Sequence, residues 1–578
     1  MMLKKIKDKI KSFLKACQIA LKTNSYGELA NFLIYRSSFG RLWARFNGYF
    51  FHQSTVIWFQ DSGKVHSRIT LLLNRLKREF PQLQTVNLDL EFYADNGTLI
   101  SQWQQKQIPC TRPFVLDSKE LPSQFSIPKP FNGTLFVKLW LNLPDRDVVN
   151  RKGLFASARS FIDYYEEGNF ITTLHDYCQY VPDQGINYCC SGMIPAYCNP
   201  DADTFILIHA TKPGIKTGEL EAILYNNQGG EKRVTLSSFQ PFQMRQIMIS
   251  ELFPDAHEFL GSDLGQIEVE GNFPQVMKRI AYGVRDKHSN AFSFDHAIYT
   301  IEPKIGGSGV ILNFAQRKKM PKGWFNPFFV IENEFVTTSA LLFHHKKEPM
   351  PKHVDILIYD DTGKLIVNAP SYALLNQTKV IRIGVRELLA KHGISSPFMG
   401  HGEAIYHQDS AYKRYSTTLE LCVEYVSSGR FNSVIYGSEP WNGPRAFANK
   451  HHLSGSRVVC NEAQTTYMAI SNCSYDYDYD LTACFTLNLL VGGEIKRRKS
   501  FTLAPNATFF KAVDEIFPDA CELFLDYQGI GYLVTSDLNC SYLTHAFLDQ
   551  DRKSKVFSVE HSLAGILPET LVASAVTS

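Results

Sequence analysis

The sequence contains no apolar run that approaches the roughly 18–20 residues of a membrane span. Its 578 residues also begin without a secretory signal, because the N-terminus is charged throughout and lacks an apolar core. We therefore expect a reducing, cytoplasmic compartment. The twelve cysteines follow no disulfide-framework spacing, and such thiols usually behave as small apolar side chains. We expect most of them to be free.

Several sequence motifs of common enzyme classes are also missing. There is no phosphate-binding Gly-Lys-Ser/Thr loop, no Gly-x-Ser-x-Gly nucleophile elbow, no His-Glu-x-x-His and no dinucleotide fingerprint. These absences favour a non-enzymatic protein, and we expect no cofactor.

Excess positive charge is confined to the N-terminus. The chain carries a net charge of +3, yet residues 1–25 hold seven lysines against Asp8 alone. The rest of the chain is therefore slightly acidic. A body of that charge does not attract nucleic acid, so we expect no nucleic-acid partner.

Residues that are present in abundance form an internal repeat. Four alternating apolar strands each run into a polar turn and a second strand, which is a β-hairpin pattern. Their turn glycines are spaced by 132, 134 and 129 residues: Gly97, Gly229, Gly363 and Gly492. A second landmark lies after the hairpin, where "ISELFPDAHEF" (249–259) matches "VDEIFPDACELF" (513–524). The order of these landmarks indicates a copied unit of about 130 residues.

A third landmark closes each unit. "NAFSFDHAIYT" (290–300) matches "KVFSVEHSLAG" (555–565), and Phe170 and Phe431 mark the corresponding segments of the other two units. Short strands split by turns every 8–12 residues favour a sandwich or barrel. The sequence therefore predicts an all-β fold of four tandem, diverged β-sandwich domains behind an α-helical N-terminal extension. The predicted boundaries are 1–50 for the extension and 51–180, 190–302, 322–442 and 455–566 for the domains.

Each repeat resembles the bacterial sensory rhodopsin transducer family and similar modules. The second repeat shows the order of strands most plainly, in "DTFILIHA" (203–210), "LEAILYNNQGGEKRVTL" (220–236) and "GQIEVEGNFPQVMKRIAYGVRD" (265–286). The similarity covers about 110 residues of each unit and rests on pattern alone. It implies a small β-sandwich used for binding and oligomer contacts. Four copies and a long extension depart from that family, so its signalling role is not carried over.

The N-terminal extension begins with an amphipathic helical pattern. One hypothesis is a membrane-surface anchor, with the apolar face in lipid and lysines toward anionic head groups. The alternatives are packing on the first domain or docking on a partner protein. The residues assigned to membrane contact are Leu3, Ile6, Ile10, Phe13, Leu14, Lys4, Lys7 and Lys11.

Histidines of the closing segments are candidate ligand contacts. His296 and His561 each follow an acid, and in the first domain His175 lies one position later after Phe170. Alternate residues of a strand face opposite sides, so each histidine and its preceding acid cannot act as a pair. A structural role, bonded to a turn or the next domain, is the main interpretation. Ligand contact would need partners from neighbouring strands. Trp324 and Trp441 are candidates too, as aromatic platforms for a sugar or protein, or as junction packing.

Three further patterns suggest metal ligands. A tetrahedral zinc knot between the first two domains would use His175, Cys178, Cys189, Cys190 and Cys198, although buried thiols are the alternative. "SYDYDYD" (474–480) places three aspartates on one face of an extended segment, which suits calcium, but it lacks the EF-hand glycine and glutamate. "GHGEAIYH" (400–407) gathers potential ligands, but the sequence shows no second cluster that would complete a metal site. We interpret the last two as metal-free.

Three functional hypotheses follow from these patterns. The first is a non-enzymatic binding or scaffold protein that presents β-sandwich loops to a protein or carbohydrate, at the inner face of a membrane if the N-terminal helix is an anchor. The second is an enzyme with an inter-domain site of His, Asp and Glu, which a metal could complete. The third is a homo-oligomeric structural protein.

Overall fold

A computed structural model describes the greater part of the chain. The described residues are 50–73, 76, 80, 82–121, 125–142, 160–175, 179–180, 187–210, 214–261, 264–273, 280–289, 291–300, 324–343, 352–375, 380–407, 421–427, 431–436, 452–474, 477–492, 494–538, 544–561 and 563–566. The N-terminal extension and its predicted membrane-contact residues lie outside these ranges. No helix among the described residues combines the length and the apolar character that crossing a membrane requires.

The described chain is mostly β-strand, arranged in seven antiparallel sheets. Alternation of apolar residues explains the strands. In the segment Ala483–Val491, for example, Phe485, Leu487 and Leu489 are buried while the residues between them are more exposed. The prediction of an all-β protein with several antiparallel sheets is confirmed.

We group the strands into four units by their place in the chain. Unit 1 comprises β1 (Phe50–Asp61), β2 (His66–Leu71), β3 (Thr85–Ala94), β4 (Leu99–Pro109), β5 (Phe114–Asp117), β6 (Phe131–Leu141), β7 (Ser160–Glu166), β8 (Phe170–His175) and β9 (Gln179–Tyr180). Unit 2 comprises β10 (Asn187–Ala196), β11 (Ala202–His209), β12 (Leu220–Tyr225), β13 (Glu231–Thr235), β14 (Met244–Met248), β15 (Gly265–Phe273), β16 (Ala281–Asp286), β17 (Asp295–His296) and β18 (Ile298–Thr300).

The second half of the chain follows the same plan. Unit 3 comprises β19 (Trp324–Glu332), β20 (Val336–Phe343), β21 (Lys352–Asp360), β22 (Leu365–Leu375), β23 (Val380–Gly384), β24 (Phe398–His407), β25 (Leu421–Ser427) and β26 (Phe431–Tyr436). Unit 4 comprises β27 (His452–Val459), β28 (Gln464–Ser471), β29 (Ala483–Val491), β30 (Glu494–Leu503), β31 (Thr508–Ala512), β32 (Ile530–Leu538), β33 (Thr544–Asp551), β34 (Phe557–His561) and β35 (Leu563–Ile566).

Strand order is the same in all four units. The fourth, third, sixth and first strands form one sheet, and the fifth, second, seventh and eighth form the other. In unit 1 the two sheets are also joined where Asp61 of β1 pairs with His66 of β2. After the eighth strand the chain returns to the first strand of its unit as β9, β18 and β35.

Short helices connect the fifth and sixth strands in three of the units. They are α1 (Ile249–Leu252), α2 (Ala256–Leu260), α3 (Val385–Lys391), α4 (Val513–Ile516) and α5 (Ala520–Phe524), followed by a 3₁₀ turn at Leu525–Tyr527. Both α1 and α4 end at a Phe-Pro pair, since proline disfavours helical backbone in the residue before it.

One hydrogen bond identifies equivalent positions in the units. In every unit a hydroxyl of the second strand accepts, at 2.8–2.9 Å, from a backbone N–H in the first strand or, in unit 2, from Tyr197 just after it. The four hydroxyl residues are Ser67, Thr204, Thr338 and Thr466. This bond fixes the register for comparing the units, independently of their sequences.

The hairpins between the third and fourth strands of units 1, 2 and 3 each reach the fifth strand of the next unit. The first residue of that strand donates its N–H to the preceding hairpin: Met244 to Asp95 O at 2.9 Å, Val380 to Asn227 Oδ1 at 2.9 Å and Thr508 to Asp361 O at 3.0 Å. At the first contact Gly97 has φ +87°, and a Cβ there would lie 2.2 Å from Pro241 O. The repeated turn glycine therefore also allows the close approach of two units.

Two cysteines depart from the expectation of free thiols. Cys460, after β27, and Cys521, in α5, form a disulfide with Cα atoms 4.8 Å apart. Their 61-residue separation gave no sequence signal, since the fold alone brings the two segments together. Cys198 and Cys484 are free thiols, as expected.

Candidate functional site

The eighth strands of the four units, which we call the closing strands, meet at one junction. They are β8, β17, β26 and β34. In the common register each closing strand, or the residues just before it in unit 2, places a hydroxyl opposite the same position of the seventh strand: Thr172, Ser293, Ser433 and Ser558. The sequence comparison took phenylalanine as the landmark, and that was wrong for two units. Phe170 and Phe431 lie one position earlier than Phe292 and Phe557 in this register.

These hydroxyls link the closing strands to one another. Phe294 N–H donates to Thr172 Oγ1 at 3.0 Å, and Val559 N–H donates to Ser433 Oγ at 3.1 Å. Thr173 N–H donates to Ser558 Oγ at 2.8 Å. The last bond joins unit 1 to unit 4. Together with the hairpin contacts, these bonds make a closed circuit of four units in which the last unit touches the first.

The histidines occupy one position of this register. His175, His296 and His561 each lie three residues after the hydroxyl, and Tyr436 holds that place in unit 3. The rings of His175 and His296 lie 6.0 Å apart, and both side chains are buried. The structure therefore brings together two of the predicted histidines from different units. For His561 the structure describes only the backbone, which pairs with Ala546.

An acid from another unit completes this cluster. Glu560 Oε1 of unit 4 lies 2.7 Å from His175 Nδ1, and Glu560 Oε2 accepts the His175 backbone N–H at 3.0 Å. Within one strand, Asp295 Oδ1 is 4.0 Å from His296 Nδ1, too far for a hydrogen bond. The expectation that adjacent acid and histidine do not pair agrees with this distance. Sequence reasoning missed the pairing of His175 with Glu560, because strand alternation says nothing about the neighbouring unit.

A buried network of charges lies beside the histidines, also between units 4 and 1. Arg457 of β27 donates to Asp549 Oδ2 at 2.6 Å, to Thr173 Oγ1 at 2.9 Å and to Asp163 Oδ1. Arg68 donates to Asp163 Oδ2 at 2.9 Å. All of these residues are buried, so a group that lost its partner would bear the full cost of desolvation.

Neighbouring charges stabilise the ionised forms of Asp163 and Arg457. Burial by itself raises the pKa of Asp163, but Arg457 and Arg68 hold that pKa below its usual value. Burial likewise disfavours the charged form of Arg457, but Asp163 and Asp549 hold its pKa above the usual value. Asp163 and Arg457 are therefore ionised at neutral pH and form an electrostatic contact between the first and last units. No sequence signal pointed to Arg457.

The predicted zinc knot is described only in part. His175 contacts Glu560. Cys198 is a buried free thiol, and its backbone carbonyl oxygen lies 2.9 Å from His257 Nδ1. Among the described residues, two groups of three or more potential ligands occur, and neither includes His175 or Cys198. Cys178 and the side chains of Cys189 and Cys190 lie outside the described residues. The zinc knot stays a prediction.

The two candidate tryptophans are not tested either. Trp324 begins β19, where its backbone pairs with Tyr406, but its side chain is not described. Trp441 lies outside the described residues. Their proposed role as aromatic platforms stays a prediction.

His209, at the contact of units 1 and 2, should make stability depend on pH. Its Nδ1 lies 3.0 Å from Thr134 Oγ1, and burial lowers its pKa to about 3. The unfolded side chain takes up a proton below about pH 6.5. Stability should therefore fall as the pH drops from about 6.5 toward 3, by about 2 kcal/mol at pH 5.

Thermal unfolding at pH 7 and pH 5 would measure this effect. The variant His209→Gln should lose that part of the pH dependence. The control His288→Gln, at an exposed histidine paired with Asp201, should keep it. Equal pH dependence in the wild-type chain and His209→Gln would contradict the assignment.

Comparison with known proteins assigns no family. No family model matches the chain, and no curated protein is similar to it in sequence. The resemblance of each repeat to the sensory rhodopsin transducer module stays a prediction. Any function must therefore be argued from the strands and side chains themselves.

Proposed function

We propose that the chain is a non-enzymatic binding or scaffold protein made of four diverged β-sandwich domains closed into a ring. The repeated strand order supports four equivalent domains. The hydroxyls that link the closing strands support a common mode of packing between them. Two hydrophobic clusters that combine both sheets of a unit support the sandwich arrangement: one includes Val330 and Val423, and the other Leu487 and Phe547.

The observation that supports this proposal most is that buried polar side chains form contacts between units. Arg457, Asp163, Thr173 and Glu560 all make contacts between units 1 and 4. Side chains with the chemistry to act on a substrate are thus engaged in holding the ring closed. Recognition of a partner then falls to the outer surface.

The exposed fourth strands suit a protein partner better than a sugar. The strands β4, β22 and β30 lie at the ends of their sheets, and most of their side chains are exposed. Large apolar side chains are exposed on two of them: Leu99 and Ile100 on β4, and Leu365, Tyr372 and Leu374 on β22. An edge strand with exposed apolar residues can accept an extended segment of a partner as an added strand.

Affinity capture and a glycan array with the purified protein test this proposal. We expect a protein partner to bind wild type and to be lost with the double variant Tyr372→Ser and Leu374→Ser. The control Asn368→Ser, at an exposed polar position of the same strand, should retain binding. Binding to glycans alone would replace the protein partner with a carbohydrate. Absence of any specific binding would overturn the proposal, and self-association on light scattering would favour a homo-oligomer.

An enzyme is the second candidate, because His175 and Glu560 from different units lie 2.7 Å apart. A histidine with a carboxylate partner is a common acid–base arrangement. A small-molecule thermal-shift screen separates the candidates. A ligand class that stabilises the wild-type chain but not His175→Gln would favour the enzyme, whereas equal shifts in both would favour the scaffold.

A further inference from the structure

Two segments that each looked incomplete in the sequence meet at the contact of units 3 and 4. One is "GHGEAIYH" (400–407) on β24, and the other is the start of "CSYDYDYD" (473–480), which follows β28. His401 and Glu403 are two residues apart on a strand, so their side chains lie on the same face. Cys473 of unit 4 approaches that face, and its side chain is buried.

The three side chains form a compact, buried cluster of potential metal ligands. Their ligand atoms all lie within 4.8 Å of one another, and His401 Nε2 is 3.7 Å from Glu403 Oε1. His401 and Glu403 are fully buried, and Cys473 is 3% exposed. Adjacent ligand atoms around a tetrahedral zinc ion are about 3.5 Å apart, as bonds of about 2.0–2.3 Å require. Small side-chain rotations would thus close the cluster around one ion.

The surroundings of His401 orient it toward this cluster. Its Nδ1 lies 3.2 Å from Thr508 Oγ1, and the Tyr359 ring stacks on the imidazole at 4.9 Å with an interplanar angle of 8°. Its Nε2 is buried and makes no hydrogen bond among the described residues. Metal-binding histidines usually have this pattern, with one nitrogen held by a neighbour and the other directed at the metal.

We propose that His401, Glu403 and Cys473 bind one Zn²⁺ ion, which links units 3 and 4. A nitrogen, an oxygen and a sulfur ligand suit zinc, since it accepts all three. The cation would also offset the cost of burying a carboxylate and a thiolate side by side. Three protein ligands leave the fourth position to water. Without a metal, Cys473 would be a small apolar side chain beside Leu357 and Ile405.

Zinc content of the full-length protein tests the site. The protein is stripped with a chelator, reloaded with Zn²⁺, dialysed and measured by mass spectrometry of the metal. The variant Cys473→Ser should hold one equivalent less than the wild-type chain. The control Cys484→Ser, at an exposed free cysteine on β29, should hold the same amount. Because other cysteines of the chain are candidate zinc ligands, the difference between variants decides the question. Equal zinc in wild type and Cys473→Ser would overturn the proposal.

A second measurement avoids substitution of a buried residue. Alkylation of each cysteine in the native wild-type protein is followed by peptide mass spectrometry, with and without Zn²⁺. Zinc should slow the labelling of Cys473 severalfold and leave Cys484 unchanged. Equal labelling of Cys473 in both conditions would refute the site. Thr508→Val should weaken zinc binding about 10–100-fold, because Thr508 holds the ligand histidine in place.

Discussion

Replacing Arg457 with methionine is expected to lower the free energy of unfolding by about 3–5 kcal/mol. The side chain is 2% exposed and contacts Asp163 and Asp549. Methionine would fill much of the volume but would leave Asp549 without this cation and Asp163 with Arg68 alone. Urea unfolding followed by fluorescence measures the loss, which should appear first as separation of units 1 and 4.

One control variant and one double variant test whether the loss comes from the buried charge network. Arg497→Met removes an exposed ion pair with Asp519 and should cost about 1 kcal/mol or less. Adding Asp549→Leu to Arg457→Met should restore part of the stability, because it removes an unpaired buried carboxylate. If Arg457→Met is no more destabilising than Arg497→Met, the charge network does not hold the ring closed.

Replacing Trp58 with alanine is expected to cost about 3–5 kcal/mol. Trp58 of unit 1 is 1% exposed, and its ring lies 5.4–6.0 Å from the rings of Phe205, Phe292 and Phe294 of unit 2. Its Nε1 donates to Asn132 Oδ1 at 2.7 Å. Alanine would therefore leave a cavity between two units and an amide oxygen without its donor.

The matched control is Trp103→Ala, at a half-buried tryptophan that packs on Phe125 within unit 1. It should cost clearly less, since the indole is already partly in water. Trp58→Phe should fall between the two, because it keeps most of the apolar contact. Equal losses for Trp58→Ala and Trp103→Ala in thermal and urea unfolding would contradict a role for Trp58 at the contact of units 1 and 2.

Local patterns predicted the strands and hairpins well. The turn at Gly97 lies where the sequence placed it. Local patterns failed to align the units where the alignment depended on a single residue. Phe170 seemed equivalent to Phe292, but the backbone pairing shows that the hydroxyls of Thr172 and Ser293 are the common feature. A serine or threonine is too frequent in strands to stand out by itself.

Contacts between units could not be predicted. Arg457 and Asp163 are 294 residues apart, and neither belongs to a motif. His401 and Cys473 lie in segments that each appeared incomplete. In both cases the partner comes from another unit, and no local rule relates the two stretches of chain.

The sequence by itself determined the strands, their turns and the repeat, because alternation and turn residues act over a few neighbouring positions. Tertiary structure alone decided which buried groups meet: Glu560 with His175, Arg457 with Asp163, and Cys473 with His401 and Glu403. Alternation fixes the face on which a side chain lies, whereas the packing of whole units fixes what lies opposite that face.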